Sequence, residues 1–251
     1  MPYIAVTALS HAGLLREHNE DSLVVGPWTL CGTVTDNPQT LLFPFGRPLV
    51  VAVADGLGGQ PAGEVASALV VRRLASLGPT LDGARPVGDA LEACNRAVYE
   101  AAEGRPELAT MGTTVAGAIV LADALLAFNV GDSKVYEAAA GGLRQVSVDD
   151  SPPPRPGQRT TSAVTQTLGG SHDFRGVTPH VSAFALSAGD RYLVCSDGLT
   201  DPVPDDAIDR VLRVHDDGRA AFELWKAAME AGGPDNITLA LVRIGGDEEV
   251  E

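Results

Sequence analysis

Acidic residues recur where the apolar runs of this sequence begin or end, or in the turns between them. They are Glu20, Asp21, Asp55, Asp132, Asp197 and Asp235. Taken singly, such a carboxylate is more often a turn residue or a cap than a ligand. Several that converge would repel one another severely unless cations lay between them. Because ligand sets made only of oxygen suit Mg²⁺ or Mn²⁺, we expect a site for these ions.

Asp55 carries the strongest local pattern. It follows the continuous apolar run Leu49–Ala54, which predicts a buried strand, and glycines at positions 56, 58 and 59 come after it. Glycine lets the backbone turn sharply and brings a carbonyl oxygen close to a ligand. The pattern indicates one half of a site for a hard cation. An aspartate that only caps the following helix would give the same local sequence.

Other catalytic patterns are absent from the sequence. There is no HExxH, paired-cysteine or clustered-histidine spacing, which argues against zinc. There is also no GxSxG elbow, no P-loop and no GxGxxG after a predicted strand. The five histidines show no ligand spacing, and we expect them on the surface or in loops.

The composition narrows the class of protein. The chain has 251 residues and a formal net charge of -15, which disfavours binding to nucleic acid. Three widely separated cysteines leave at least one unpaired, which indicates a reducing compartment. The N-terminus lacks the pattern of a signal peptide, and no apolar run approaches the roughly 20 residues of a membrane span. We therefore expect a cytoplasmic protein with no membrane association, and a monomer by default.

The acidic residues must be positioned by strands and helices that alternate in short runs. Apolar periodicity predicts strands at 3–9, 22–25, 49–54, 113–121, 124–130, 134–139, 181–186, 191–195 and 237–244. Helical spacing predicts helices at 61 to about 78, 86–103, 205–214 and 218–231. Antiparallel runs of strands with helices in pairs indicate an α+β fold and not a doubly wound sheet.

Two segments interrupt this pattern. Residues 26–48 are expected to form an inserted loop or hairpin, in which Phe43 and Phe45 pack against the protein's own core rather than a substrate. Residues 151–161, SPPPRPGQRTT, are expected to be a linker, with a PxxP partner motif as the alternative. We expect one domain over residues 1–246, followed by a frayed acidic tail at 247–251.

Six short motifs are spread along the chain. They are REHNEDS (16–22), DGLGG (55–59), MGTT (111–114), GDS (131–133), SDGLTD (196–201) and DNIT (235–238). In residues and in order they resemble the motifs of the metal-dependent (PPM, type 2C-like) serine/threonine protein phosphatases, in their bacterial single-domain form. The resemblance extends from about residue 10 to residue 244.

This resemblance implies a fold and an activity. The fold would be a sandwich of two antiparallel β-sheets flanked by pairs of α-helices, with four αββα layers. The activity would be hydrolysis of phosphoserine and phosphothreonine by direct attack of water activated at two Mg²⁺ or Mn²⁺ ions. The partners would be phosphorylated proteins, the substrates of a serine/threonine kinase.

The resemblance also assigns the ligands of the two ions. Asp55 would bridge both ions and is the central catalytic residue. The carbonyl oxygen of Gly56 would complete one coordination shell. Asp197 and Asp235 would bind the other ion.

Further residues would act around these ligands. Glu20 and Asp21 would hold water ligands of the metals. Arg16 would bind the substrate phosphate through its planar guanidinium group. Asp132 and Asp201 match positions linked to a third, weaker ion.

The chain departs from the family pattern at three places. Leu57 stands where some relatives carry a histidine that can act as general acid, so that role falls to water at the metals or is unfilled. Lys134 stands where arginine is common, on a strand expected to be exposed. The flap between residues 149–151 and 168–169 is short while residues 26–48 are long, which leaves the substrate preference open.

Two other functions stay open at this point. A pseudophosphatase would bind a phosphoprotein without turnover, but every carboxylate that a two-metal site needs is present. A metal-dependent phosphohydrolase for small molecules is compatible with the short flap. Turnover of an aryl phosphate separates the first alternative from the enzymes, and competition between phosphopeptides and small esters separates the second.

Overall fold

The structure is a computed structural model, and it describes residues 2–59, 62–153, 160–161 and 163–246. The β-strands are β1 (Tyr3–His11), β2 (Ser22–Val25), β3 (Trp28–Cys31), β4 (Gln39–Pro44), β5 (Leu49–Ala54), β6 (Gly56–Leu57), β7 (Gly112–Thr113), β8 (Val115–Val120), β9 (Ala124–Val130), β10 (Lys134–Ala139), β11 (Gly142–Gln145), β12 (Leu168–Gly169), β13 (His180–Ala185), β14 (Arg191–Cys195) and β15 (Ile237–Gly245). The α-helices are α1 (Ala62–Leu77), α2 (Ala84–Ala102), α3 (Asp197–Thr200), α4 (Asp205–Val214) and α5 (Asp217–Glu230). Three expected features lie wholly or partly outside the described residues: the helix start at residue 61, the middle of the Pro-rich segment at 154–159 and the acidic tail at 247–251.

Two six-stranded antiparallel sheets form the centre of the fold. The first sheet has the strand order β11-β10-β14-β15-β1-β4, and the second has the order β13-β9-β8-β5-β2-β3. The short strands β12, β7 and β6 form a small third sheet. The predicted α+β fold with two antiparallel sheets is confirmed.

The side chains of β5 show why the layers stack. Val51 and Val53 belong to the hydrophobic cluster between the two sheets. Val50 and Ala52 point the other way, into the cluster under α1 and α2. A third cluster joins the first sheet to α4 and α5. Because a strand alternates its side chains between faces, each sheet buries both of its faces, and the four layers αββα follow.

The segment 26–48 is neither an inserted loop nor a hairpin of its own, so this expectation was wrong. β3 pairs with β2 in the second sheet, whereas β4 pairs with β1 in the first. The segment therefore crosses from one sheet to the other and extends an edge of each. Phe43 and Phe45 are half-buried against the cluster between the sheets, as expected.

Two element boundaries also differ from the predictions. The expected strand at 113–121 is broken at Thr114, because Gly112 and Thr113 pair with β6 and β12 while Val115 onward pairs with β5 and β9. Helix α2 begins at Ala84 rather than at Pro86. Proline is accepted in the first turn of a helix, where its missing N–H has no partner to lose.

The described part of the chain contains no helix with the length and apolar character of a membrane span. All three cysteines are free, and Cys94 and Cys195 are fully buried. Cys195 is therefore a core residue, as its apolar run predicts.

Candidate metal centre

Strand pairing places Asp21 and Asp55 at the same end of the second sheet. β2 and β5 are antiparallel, and Ser22 lies opposite Ala54. Asp21 comes directly before β2 and Asp55 directly after β5, so the two residues are neighbours across the pair. The sequence pattern alone, with a carboxylate at the end of each apolar run, is enough to predict this arrangement.

The first sheet brings Asp197 and Asp235 together in the same way. β14 and β15 are antiparallel, with Cys195 opposite Leu239, and the two aspartates lie beyond these paired ends. The hydroxyl of Ser196 donates a hydrogen bond to Oδ2 of Asp21 at 2.8 Å. This contact joins the acidic ends of the two sheets.

Asp132 lies in the turn after β9, and hydrogen bonds link this turn to the backbone of Asp55. The side-chain oxygens of Thr114 and Ser133 are 2.7 Å apart. The N–H of Thr114 donates to the carbonyl oxygen of Asp55 at 2.9 Å, and the hydroxyl of Thr113 donates to the same oxygen at 2.8 Å. The break between β7 and β8 thus fixes the backbone that carries Asp55.

At this end of the sandwich, carboxylates lie close together despite their mutual repulsion. Burial raises the pKa of Asp55 well above its ordinary value, and the charges of Asp21, Asp197, Asp235 and Asp132 raise it further. Burial likewise raises the pKa of Asp21 to about 6, against hydrogen bonds that lower it, and that of Asp197 to about 7. Cations between the carboxylates would reverse these shifts.

Asp197 connects two adjacent cavities. A cleft of about 390 Å³ is lined by Asp197, Arg16, Asp55 and Asp235. A second cavity of about 330 Å³ is lined by Asp197, Asp132 and Asp201. These are the groups that the resemblance divides between the two central ions and the third ion.

Asp132 and Asp201 belong to the second of these cavities. Asp132 is only 7% exposed, and burial raises its pKa to about 6, with the Asp149 and Asp201 charges acting in the same direction. The charges of Asp132 and Asp201 both raise the pKa of Asp197. A simple turn aspartate would be exposed, so its burial among other acids favours a cation nearby.

Several features fit bound cations. Oδ1 of Asp21 and Oδ1 of Asp197 are buried and have no hydrogen-bond partner. A buried carboxylate oxygen without a partner is costly, and a metal ion would satisfy it. A Cβ at Gly56 would lie 2.5 Å from the carbonyl oxygen of Gly63 and 2.7 Å from that of Glu20. Only glycine fits there, with its backbone close to the acidic cleft.

Among the described residues, no three Asp, Glu, His or Cys side chains already form a closed ligand set. At Asp235, Oδ2 accepts from Arg16 and Oδ1 accepts from the N–H of Asn236. Mg²⁺ also keeps several water ligands and needs few protein ligands. The ligand assignments of the six carboxylates and Gly56 therefore stay predictions.

The loop that carries Arg16 is fixed by Asn236. The side-chain amide of Asn236 donates to the carbonyl oxygens of Ala12 and His18, and its Oδ1 accepts from the N–H of Glu20. Nη2 of Arg16 lies 2.7 Å from Oδ2 of Asp235, and its side chain is 55% exposed. Arg16 is thus at the mouth of the cleft, where it can meet a phosphate.

Glu20 lies half-buried at the edge of the cleft. Burial raises its pKa, and the nearby Glu64 charge raises it further. The hydroxyl of Ser67 donates to the Glu20 carbonyl oxygen at 2.6 Å, which ties this residue to α1.

Lys134 is not on an exposed strand face, so that expectation was wrong. Its side chain is 14% exposed and forms an ion pair with Asp149 at the base of the flap. The neighbouring Asp150 accepts from the N–H of Gly131 at 2.9 Å and contacts His180 at 2.9 Å. His180 lies in β13 and not in a loop. The flap base is therefore anchored to the turn that carries Asp132.

Sequence reasoning missed the residues that hold these carboxylates in place. Thr113, Thr114, Ser196 and Asn236 all lie within the six motifs, but they had no assigned role. Their signal is a polar side chain inside or beside a strand that is otherwise apolar, which must find a hydrogen-bond partner when buried.

Comparison with known proteins agrees with this geometry. A family model described as protein phosphatase 2C matches residues 44–239. The serine/threonine protein phosphatase PstP of Mycobacterium tuberculosis is 34% identical over 256 residues, which covers 94% of this chain and 44% of PstP. This chain therefore spans less than half the length of that relative. The serine/threonine phosphatase stp of Listeria monocytogenes is 28% identical over 249 residues, covering 92% of both chains.

Solved structures share the fold over nearly the whole chain. A crystal structure of PstP from M. tuberculosis superposes with a TM-score of 0.81 at 31% identity, covering 97% of this chain and all of that one. A second structure, of the PstP catalytic domain in complex with two manganese ions, has a TM-score of 0.77 at 31% identity and covers 98% of this chain and 100% of that chain.

Proposed function

Because this chain belongs to the protein phosphatase 2C family, we propose that it is a metal-dependent phosphatase that hydrolyses phosphoserine and phosphothreonine in proteins. The observation that carries the proposal is the meeting of Asp21, Asp55, Asp197 and Asp235 from both sheets, with two buried carboxylate oxygens left without a partner. A pseudophosphatase would have no need to maintain such repulsion.

The residues that would hold two Mn²⁺ or Mg²⁺ ions are Asp55 and the Gly56 carbonyl, together with Asp197 and Asp235. The two manganese ions of the PstP catalytic domain support this number. When bound, the ions supply an activated water as nucleophile and neutralise the phosphoryl oxygens. Asp132 and Asp201 would hold a third ion, and Asp21 and Glu20 would orient water.

The chain's own contribution is to orient these groups and the substrate. Thr113 and Thr114 fix the backbone of Asp55, which limits how far its carboxylate can move when substrate binds. Asn236 fixes the loop from which Arg16 reaches the cleft, and the guanidinium can bind two phosphate oxygens at once. Leu57 lines the cleft and offers no proton, so protonation of the leaving serine or threonine oxygen would fall to water at the metals or be left without a dedicated acid.

The proposed substrates are phosphorylated proteins, the products of a serine/threonine kinase, and nucleic acid is not a proposed partner. The names of the mycobacterial and listerial relatives support this substrate class. We propose a cytoplasmic location, which the three free cysteines support. We also propose that residues 1–246 act as one phosphatase domain, and as a monomer.

The test is release of phosphate from a phosphothreonine peptide by the purified protein, with Mn²⁺ and with EDTA. Hydrolysis that depends on Mn²⁺ supports the proposal. Absence of turnover on both the peptide and an aryl phosphate would indicate a pseudophosphatase instead. Efficient competition by small phosphate esters, with poor turnover of the peptide, would favour a phosphohydrolase for small molecules.

A further inference from the structure

A groove of about 650 Å³ runs along α1 from the edge of the catalytic cleft. Its floor is apolar, with Val65, Leu69 and Ala101 each half-buried against the core. Val65 and Leu69 are one turn apart on α1, and Ala101 comes from the end of α2. These side chains form an apolar strip that is accessible to solvent.

The rim of this groove is cationic, which is unusual in this chain. Arg72, Arg73 and Arg105 line it and are exposed, against one glutamate, Glu64. The whole chain carries a net charge of -15. Arg105 pairs with Glu107 at 3.3 Å, but both side chains are more than half exposed, so the pair is weak. In the described part of the chain no ion pair includes Arg72 or Arg73, and the Arg73 guanidinium also lies close enough to the buried Cys94 thiol to hydrogen-bond it.

The groove begins beside the candidate metal centre. Glu64 lines the groove and is close enough to raise the pKa of Glu20 in the cleft. Gly63 packs against Gly56, next to Asp55. Arg72 lies eight residues beyond Glu64 on the same helix face, a distance of about 12 Å along the axis. An extended peptide covers this distance with about four residues.

We propose that this groove docks an acidic segment of the phosphoprotein substrate, about five or more residues away from the phosphorylated side chain. The segment would place Asp or Glu side chains on the three arginines and an apolar side chain on the strip between them. This inference rests on the proposed phosphatase function and adds a recognition site outside the metal centre.

Charge argues for an acidic peptide as the occupant. The net negative charge of the protein repels an acidic chain overall, so its attraction requires a local excess of cations such as the three arginines of this rim. An anionic membrane is a poorer fit, because three arginines are fewer than the roughly four to eight basic residues of membrane-binding clusters. The net charge of -15 also opposes approach to such a surface.

The experiment uses the full chain and two fluorescent peptides without phosphate, one with an acidic segment that contains an apolar residue and one with its acids replaced by amides. Binding is followed by anisotropy at two salt concentrations. The test variant carries Arg72→Glu, Arg73→Glu and Arg105→Glu. The matched control carries Arg47→Glu, Arg85→Glu and Arg210→Glu, which change the charge equally at exposed sites outside the groove. Each exposed ion pair contributes roughly twofold to threefold, so the test variant should weaken acidic-peptide binding about tenfold and the control less than about twofold.

Turnover of an aryl phosphate with Mn²⁺ is measured on all three proteins and should be equal, because none of the substituted arginines is in the catalytic cleft. If the parent shows no turnover, the phosphatase function is refuted, but the peptide-binding result can still be interpreted. Equal peptide binding by parent and test variant would overturn the docking proposal. Equal loss in the control variant, or equally tight binding of the parent to phosphatidylserine vesicles, would overturn it as well.

Discussion

Nη2 of Arg16 lies 2.7 Å from Oδ2 of Asp235, so the group expected to bind substrate phosphate is paired with a group expected to bind metal. The two residues are 219 positions apart in the sequence. The resemblance gives Arg16 a role in binding phosphate and none in binding metal. The observed contact instead couples the two functions, since Oδ2 of Asp235 would be shared between the guanidinium of Arg16 and a cation if Asp235 binds metal.

Arg16→Ala is therefore expected to have opposite effects on substrate and metal. Loss of a charged hydrogen bond to phosphate should raise KM and lower kcat/KM by about 1.5–3 kcal/mol in transition-state terms. Removal of a competing positive charge should lower the Mn²⁺ concentration that gives half-maximal activity. Steady-state kinetics on a phosphothreonine peptide at several Mn²⁺ concentrations measure both.

The control for this variant is Arg210→Ala, which removes an exposed ion pair to Asp206 on α4. It should change neither quantity. An unchanged kcat/KM in Arg16→Ala would return Arg16 to the role of a solvated loop residue.

Asp132→Asn should raise the Mn²⁺ concentration needed for half-maximal rate. The residue is buried beside Asp197 and Asp201, and the uncharged amide oxygen of asparagine is a weaker ligand for a third ion than a carboxylate. The matched control is Asp123→Asn, an exposed aspartate in the turn between β8 and β9. Metal-activation curves that coincide for Asp132→Asn and the parent would make Asp132 a structural turn residue.

The stability of the metal-free protein should fall as pH rises from about 4 to about 7. The pKa values of Asp21 and Asp132 are raised to about 6 and that of Asp197 to about 7, above the ordinary value of an aspartate. In this window the folded state binds more protons than the unfolded state, so raising the pH favours unfolding. Mn²⁺ should restore stability at pH 8 by about 2.7 kcal/mol for each site at a hundredfold excess over Kd.

Thermal unfolding at pH 5.5 and pH 8, with EDTA or with Mn²⁺, measures this effect. Asp197→Asn removes one of the repelling charges, so without metal it should have a higher Tm than the parent at pH 8. It should also gain less from Mn²⁺. A parent whose metal-free Tm is higher at pH 8 than at pH 5.5 would contradict this view of the cluster.

Residues that immediately flank the phosphoamino acid should be poorly discriminated. Phe43 lies far from the site, because it pairs with Ile4, about 23 Å along β1 from the catalytic end at His11. Leu15 and Leu57 line the cleft, and Leu15 is the more exposed of the two, at 72%. For short phosphothreonine peptides that differ only at flanking positions, we expect a spread in kcat/KM below about a hundredfold, or ~2.7 kcal/mol.

In this panel, Leu15→Ala should remove what preference exists for an apolar neighbour. Phe43→Ala should leave the pattern unchanged while it lowers stability, since this ring packs between the sheets. A larger spread that survives Leu15→Ala would reveal a peptide groove beside the phosphate.

The sequence could predict the acidic centre because its cause is local. Asp55 follows an apolar run, Asp21 precedes one, and antiparallel pairing of neighbouring strands brings such ends together. The crossing of residues 26–48 between sheets could not be predicted in this way. β3 and β4 are short edge strands whose partners are chosen by contacts distant in sequence. The burial of Lys134 has the same origin, because it depends on Asp149 from the flap base.

Phosphate release from a phosphothreonine peptide, measured for the parent and for Asp55→Asn across a Mn²⁺ titration, tests the metal centre most directly. Asp55 is the carboxylate on which the charges of Asp21, Asp197, Asp235 and Asp132 all act. If it bridges two ions, the parent should be inactive in EDTA and recover with Mn²⁺. Asp55→Asn should lose activity by orders of magnitude at every Mn²⁺ concentration, with the fold retained by circular dichroism. Activity undiminished in Asp55→Asn would contradict the two-metal mechanism.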